Sequence, residues 1–243
     1  MNRENLLRYI NPNPGILSME PYKGGNHDFF DSQMINLASN ESSIGPSPRV
    51  IKSLNDINHS LNRYPDGSTL LLREAISDRY SLDIERIACG SGSDELIDIL
   101  VRSFSGVSDE VLFSQYGFLM YSIAAKRNGA IPIAAPEYNF KTDVHSILSS
   151  ISDQTKIIFI ANPNNPTGSY LNKIELELLC REIPKNILLV LDSAYAEFVK
   201  EDDYDSGIDY VNNFENVVMI RTFSKLYGLA SLRLGWSYSS KYI

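Results

Sequence analysis

The chain has 243 residues, of which 43% are apolar and 21% are charged, and its formal net charge is −8. This length allows a sizeable core in one large or two small domains, and the negative charge argues against a surface for nucleic acid or anionic membranes. No apolar run approaches the ~18 residues of a membrane span, no signal peptide is visible, and two separated cysteines in apolar surroundings favour a reduced, cytoplasmic protein.

The N-terminal part is rich in turns and predicts an arm over residues 1–44, with one short strand at 35–38. A helix follows, with Ser47 as its N-cap and Pro48 at its first position. Apolar residues then recur at helical spacing and predict one buried face, formed by Val50, Leu54, Ile57 and Leu61.

A tight turn, Tyr64-Pro65-Asp66-Gly67-Ser68, precedes a second helix, predicted over 69–80. This helix is expected to bury three apolar side chains, those of Leu72, Ala75 and Ile76.

A glycine turn, Gly90-Ser91-Gly92-Ser93-Asp94-Glu95, joins the strand at 87–89 directly to the next helix. A strand, a glycine turn and a helix in this order present free backbone N–H groups at a positive helix end, which suits a phosphate. A dinucleotide fingerprint would need a third glycine where Glu95 stands, so we reject that interpretation. A tight strand-to-helix connection without a ligand remains the alternative.

Tyr116 follows the strand at 111–113, before a helix predicted over 118–128. Ligands of α/β proteins bind at the carboxyl ends of strands, where an aromatic side chain can stack on a flat ring. The alternative is a tyrosine that only packs. The next strand, at 131–134, contains Pro132 and is therefore predicted at a sheet edge.

Two continuous apolar strands, at 156–161 and 187–191, are typical of strands buried on both faces. The first ends in a proline-fixed turn at 162–168, which leaves the Asn165 amide free to donate a hydrogen bond. The second runs directly into Asp192, a buried carboxylate that is costly unless it is paired. A protonated pyridine nitrogen is one suitable partner; a helix N-cap or a structural ion pair is the alternative.

Lys225 lies on a loop just after the apolar strand at 217–220. Its amine could form a Schiff base with a carbonyl cofactor if burial or a neighbouring cation lowered its pKa. Thr222, Ser224 and Arg233 could hold a phosphate through hydroxyl donors and a bidentate guanidinium. A surface lysine in an ordinary loop is the alternative.

Strands and helices alternate along the whole sequence, which predicts an α/β domain with a mostly parallel sheet. The candidate residues all follow strands, so such a sheet would gather them in one crevice at its carboxyl edge. They are Gly92, Tyr116, Asn165, Asp192 and Lys225.

Together these stretches resemble the fold-type I pyridoxal-phosphate enzymes, in particular class I and II aminotransferases of the histidinol-phosphate aminotransferase branch. The resemblance runs from about residue 36 to 235. It rests on Tyr64-Pro65-Asp66, Gly92-Ser93-Asp94-Glu95, Asn162-Pro163-Asn164-Asn165-Pro166-Thr167-Gly168, Asp192-Ser193-Ala194-Tyr195, and Ser224-Lys225 with Arg233 eight residues later.

The resemblance implies a three-layer large domain over residues 45–243 that binds pyridoxal 5′-phosphate. Lys225 would form the Schiff base and move the proton, while Asp192 would pair with the ring nitrogen. Asn165 and Tyr195 would bond the phenolic oxygen, and Tyr116 would stack on the ring. The phosphate would be held by Gly92, Ser93, Asp94, Thr222, Ser224 and Arg233, and by Tyr64 of a neighbouring subunit in a homodimer.

The sequence departs from the family's pattern in three places. Family members continue into a C-terminal small domain whose arginine binds the substrate carboxylate, and the sequence ends at Ile243. We therefore expect that domain to be missing and turnover to be impaired. Ser193 stands where the family often has an acidic residue, and Ser231 where glycine is usual.

The resemblance predicts transamination between an amino acid or amino-alcohol phosphate and a 2-oxo acid. Two alternatives stay open: a phosphoamino-acid decarboxylase such as threonine-phosphate decarboxylase, and a catalytically silent fragment that binds cofactor or dimerises. No metal, nucleic acid or membrane partner is expected.

Overall fold

The structure, a computed structural model, describes residues 13, 15–19, 37–57 and 61–243. Most of the predicted N-terminal arm and the first half of the strand predicted at 35–38 lie outside these residues. Leu37 and Ala38 are described and are not in a strand. The division between an arm at 1–44 and a domain at 45–243 therefore stays a prediction.

The strands alternate with helices along the chain, as predicted. In chain order they are β1 (Ile87–Gly90), β2 (Glu110–Ser114), β3 (Ile131–Ala135), β4 (Glu137–Tyr138), β5 (Lys141–Thr142), β6 (Thr155–Ala161), β7 (Leu188–Asp192), β8 (Val217–Thr222) and β9 (Gly235–Tyr238). The helices are α1 (Pro48–Ile57), α2 (Leu70–Tyr80), α3 (Ser93–Phe104), α4 (Met120–Arg127), α5 (Val144–Ser149), α6 (Lys173–Glu182) and α7 (Ile208–Asn213).

Seven strands form the central sheet in the order β1-β9-β8-β7-β6-β2-β3, and β4 and β5 form a separate hairpin. Strand β9 runs antiparallel to both of its neighbours, and every other pair in the central sheet is parallel. The predicted α/β class with a mostly parallel sheet is confirmed. Strand β3 lies at the sheet edge, as its proline indicated.

Both faces of the central strands are buried, which explains their continuous apolar sequences. Along β6, Ile158 and Ile160 pack into the core on one face, while Ile157 and Phe159 pack into the core on the other. All four side chains are fully buried. Apolar residues are therefore required at every position rather than at alternate ones.

Three helix predictions need correction. Helix α1 has no fully buried residue: in the predicted apolar face, Val50 and Leu54 are half-buried and Ile57 is exposed. Helix α2 buries Ile76 but leaves Ala75 exposed. Helix α4 begins at Met120 rather than at residue 118, because the preceding turn extends to residue 119.

Side-chain caps fix the start of α5 and α6. The cap of α6 is reciprocal: Asn172 accepts a hydrogen bond from the Glu175 amide, and the Glu175 carboxylate accepts one from the Asn172 amide. Within the described residues, no helix has both the length and the apolar character needed to cross a membrane.

Candidate active site

The carboxyl ends of β6, β7 and β8 meet at one edge of the sheet. Asp192, the last residue of β7, lies beside Ala161 of β6 and Ile220 of β8. A cavity of about 440 Å³ opens at this edge. It is the crevice in which parallel sheets commonly bind ligands.

Most of the predicted site residues line this cavity. They are Ser93, Asp94, Asn165, Asp192, Tyr195, Thr222, Ser224, Lys225 and Arg233. Sequence positions 93 to 233 are thus brought together by the strand order, because these residues lie at strand ends or in the loops that join strands of the same sheet.

Asp192 forms the floor of the cavity and is 4% exposed. The Tyr121 hydroxyl donates to its Oδ2 at 2.8 Å, and the Ala194 amide donates to its Oδ1 at 3.2 Å. Burial raises the pKa of Asp192 to about 6, although both hydrogen bonds lower it. Two donors thus offset burial incompletely, and a cation bound beside this carboxylate would be stabilised.

Lys225 is half-buried, and its Nζ donates to the backbone oxygen of Ser39 at 2.9 Å. The same nitrogen lies 5.7 Å from the centre of the Tyr195 ring. Burial lowers the pKa of Lys225, while the acidic groups of Asp94, Glu41 and Asp192 partly restore it. At a given pH, a larger fraction of the Lys225 amine is therefore in the neutral, nucleophilic form than for an exposed lysine.

The Tyr195 hydroxyl is held by the segment that also contacts Lys225. The side-chain amide of Asn40 donates to its hydroxyl at 2.9 Å. Burial raises the pKa of the Tyr195 phenol, and the Asn40 hydrogen bond lowers it. Ser39 and Asn40, neither of which the sequence analysis selected, thus contact the two central polar groups of the site.

The other end of the cavity is built to hold an anion. Helix α3 begins at Ser93, and its first turn presents backbone N–H groups without intrahelical partners. Gly92 precedes it at φ 84°, a conformation that favours glycine. A Cβ added at Gly92 would overlap the guanidinium of Arg233, so glycine allows the cation to approach the helix start. Gly92 therefore shapes the cavity without lining it.

The hydroxyls of Thr222 and Ser224 complete this end. Thr222 donates to the Ser224 Oγ at 3.0 Å, and the Ser224 amide donates to Thr222 Oγ1 at 3.1 Å. Arg233 donates from Nη1 to Ser224 Oγ at 3.5 Å, and its Nη2 lies 3.3 Å from a carboxylate oxygen of Asp94. Arg233 lies in a left-handed turn at φ 51°, two residues before β9.

Tyr116 and Tyr64, two predicted site residues, do not line the cavity. The Tyr116 ring packs against Phe140, with ring centres 5.3 Å apart. The cavity is lined instead by Phe118, because the turn before α4 extends to residue 119 and directs this ring inward. Tyr64 is fully exposed on this chain.

Arg221, an arginine near the end of β8, is already paired. It is 4% exposed and donates from Nη2 to Glu197 at 2.6 Å. It is not among the residues that line the cavity. Among the described residues, no cluster of histidine, cysteine and acidic side chains could hold a metal ion.

Comparison with known families decides which proteins share this arrangement. The family profile described as "Aminotransferase class I and II" matches residues 32–243. This chain belongs to the class I and II aminotransferases.

Two curated relatives of this chain are named histidinol-phosphate aminotransferase. The chain is 50% identical over 228 residues to a histidinol-phosphate aminotransferase of Rhodospirillum centenum, and 49% identical over 228 residues to that of Paramagnetospirillum magneticum. Both alignments cover 93% of this chain and 63% of the relative. The chain thus spans less than two thirds of the length of these curated relatives.

A solved structure confirms the fold. The crystal structure of histidinol-phosphate aminotransferase from Sinorhizobium meliloti in complex with pyridoxal-5′-phosphate superposes with a TM-score of 0.79 at 28% identity. The match covers 83% of this chain and 55% of that one. The fold-type I architecture that the resemblance implied is therefore confirmed for the aminotransferase chain described here.

Proposed function

We propose that this chain binds pyridoxal 5′-phosphate and serves amino transfer between a 2-oxo acid and an amino acid or amino-alcohol phosphate, with histidinol phosphate as the amino donor. One observation carries the proposal: a single cavity joins the Lys225 amine, the buried Asp192 carboxylate and an anion-binding helix start. The 50% identical relative supports the choice of donor.

The donor groups fit the cofactor at both of its charged ends. Ser93 at the start of α3, Ser224 and Arg233 offer hydrogen bonds to a phosphate, and Gly92 leaves room for the guanidinium. The partly compensated carboxylate of Asp192 suits a protonated ring nitrogen. Pyridoxal phosphate, when bound, supplies an aldehyde that takes up an amine and a ring that withdraws electrons.

Lys225 would hold the cofactor covalently and, once displaced by substrate, move a proton at the substrate Cα. A half-buried amine with a lowered pKa suits both tasks, because each requires the neutral form. Its hydrogen bond to the Ser39 oxygen orients the amine at the cavity wall.

The remaining residues would bind and orient. Asp192 keeps a proton on the ring nitrogen, Asn165 and Tyr195 donate hydrogen bonds to the phenolic oxygen, and Thr222 supports the phosphate through its bond with Ser224. Phe118, which lines the cavity, would provide the aromatic surface for the ring.

We also propose a homodimer in which Tyr64 of each subunit reaches the phosphate of the other. Support comes from the apolar surface at the N-terminal side of the described chain, where α1 buries no residue and Ile44, Leu71 and Tyr64 are more than four-fifths exposed. Such a surface is typical of an interaction site.

A cytoplasmic location agrees with the two free cysteines.

A single-turnover experiment tests the proposed reaction. Purified chain loaded with pyridoxal phosphate is mixed with glutamate and, separately, with histidinol phosphate. Amino transfer predicts one equivalent of 2-oxo acid, or of the keto product, for each loaded site. Release of carbon dioxide would indicate a decarboxylase, and no product at all would indicate a chain that only binds cofactor; either result contradicts the proposal.

A further inference from the structure

We propose that Tyr121 is a positioning residue for this reaction: its hydroxyl fixes the orientation of the Asp192 carboxylate and supplies one of the two hydrogen bonds that the described residues donate to it. The inference rests on the proposed function and concerns a side chain that the sequence patterns did not select. It starts from the shortest hydrogen bond made to Asp192, 2.8 Å from the Tyr121 hydroxyl.

The two hydrogen bonds fix both carboxylate oxygens. Tyr121 donates to Oδ2, and the backbone amide of Ala194 donates to Oδ1. A carboxylate held at both oxygens cannot rotate about its last bond without losing a donor. Since Asp192 and Tyr121 both line the cavity, the orientation they share is presented directly to a bound ligand.

The Tyr121 ring is itself held in place, so its hydroxyl has one available position. The ring is fully buried and stacks on Phe159, with centres 4.6 Å apart and planes 7° apart. Phe118 meets its edge at 5.9 Å, and Phe113 packs at 6.2 Å. The same residue thus supports the floor of the cavity and touches Phe118 in its wall. A rigid support of this kind is what precise site geometry requires.

The charges around the pair favour the donor role. Asp192 lies at the end of β7, and Tyr121 lies on α4. The titratable groups that act on this pair are Asp94 on α3, Lys225 on the loop after β8 and Tyr195 on the loop after β7. Burial and Asp192 raise the pKa of the Tyr121 phenol well above its ordinary value, so the hydroxyl keeps its proton. In return, the Tyr121 hydrogen bond lowers the pKa of Asp192 and favours the ionised carboxylate.

The simpler interpretation is that Tyr121 only fills the core, and Tyr238 offers a matched control. Tyr238 is also buried, at 3% exposure, and its hydroxyl donates to the side chain of Asn212 at 3.0 Å. Tyr121→Phe and Tyr238→Phe each remove one buried hydroxyl from the same fold. Only the first removes a donor from Asp192.

The test titrates the carboxyl of Asp192 by carbon NMR in the cofactor-free chain, with the signal assigned by its loss in Asp192→Asn. We expect Tyr121→Phe to raise the pKa of Asp192 by about one unit or more, as loss of a hydrogen bond to a charged group implies. Pyridoxal phosphate binding at neutral pH should weaken about tenfold. Tyr238→Phe should change neither quantity. Equal titration curves for wild type and Tyr121→Phe, or equal shifts in both variants, would overturn the proposal.

A second substitution at the same position preserves the shape of the side chain in the core. Replacing Tyr121 alone by 3-fluorotyrosine makes the phenol a stronger donor, and it should lower the pKa of Asp192. The 3-fluorotyrosine experiment tests the proposal even if Tyr121→Phe does not fold. An unchanged pKa of Asp192 in the fluorinated chain would contradict the proposal. If wild-type chain binds no pyridoxal phosphate, the proposed function fails, whereas the titration still shows whether Tyr121 controls Asp192.

Discussion

The floor and the rim of the cavity are built in different ways. The floor consists of Asp192, Tyr121 and Thr222, each less than a tenth exposed and fixed by strands or core packing. The rim consists of Ser39, Asn40 and Arg233, which lie on loops and are at most partly buried. Burial therefore shifts the pKa values of Asp192 and Tyr121 on the floor, whereas the rim groups make hydrogen bonds at positions that solvent can reach.

This difference predicts that substitutions nearer the buried chemistry have the larger effects. Lys225 stands between the two regions, because its backbone follows the floor strand and its amine bonds to the rim at Ser39. We expect Lys225→Ala to reduce amino transfer by at least about 100-fold, the contribution of a positioned proton-transfer group. Rapid mixing with glutamate measures this loss. Lys185→Ala, at an exposed site, is the control and should retain wild-type rates.

On the floor, Asp192→Asn should stabilise the cofactor-free chain while it weakens cofactor binding. The pKa of Asp192 is about 6 in the folded chain and about 3.9 in an unfolded one, so its ionisation costs stability as pH rises from about 4 to 6. Above pH 6 the variant should be more stable by up to about 3 kcal/mol, and the difference should vanish near pH 4. Denaturant unfolding at several pH values measures this. Equal stability at neutral pH would show that the carboxylate is already fully compensated.

Between floor and rim, Gly92→Ala should displace the Arg233 guanidinium from the start of α3. A Cβ there would overlap this guanidinium, and the residue also has a positive φ. We expect about tenfold weaker binding of pyridoxal phosphate, through loss of one charge-assisted contact. Gly45→Ala isolates the backbone strain, because Gly45 has φ +74° and no described residue lies within 4 Å of an added Cβ. Similar losses in both variants would contradict the steric explanation.

At the rim, Asn40→Ala should have the smallest effect. It removes one neutral hydrogen bond to the Tyr195 hydroxyl, worth about 0.5–1.5 kcal/mol. The pKa of Tyr195 should rise, because the Asn40 bond lowers it, and amino transfer should fall less than about tenfold. Ultraviolet titration of the phenol, compared with Tyr195→Phe, measures the shift. An unchanged titration would mean that Asn40 does not hold Tyr195 in solution.

The difference between floor and rim also explains which parts of the site could be predicted from the sequence. Asp192 and Lys225 follow long apolar runs, so their strands and their place at the sheet edge were predictable from local pattern alone. Tyr121 was missed because its role depends on where α4 begins, and helix boundaries are poorly marked in sequence. The turn before that boundary carries both Tyr116, which was predicted to face the ligand, and Phe118, which lines the cavity.

The rim was the least predictable part. Lys225 bonds to a residue 186 positions away, and Asn40 donates to one 155 positions away. No local periodicity specifies such contacts, because they depend on where an irregular segment crosses the finished sheet. The local sequence feature that marks this part of the rim is the run of polar side chains at residues 39–43.

Covalent trapping of the cofactor tests most directly whether this cavity is the cofactor site. The chain is incubated with pyridoxal phosphate, reduced with borohydride, digested and mapped by mass spectrometry. The arrangement of Lys225, Asp192 and Arg233 predicts one label for each chain, on Lys225 alone. A label on another lysine, or no stable label at all, would contradict the assignment of this cavity as the active site.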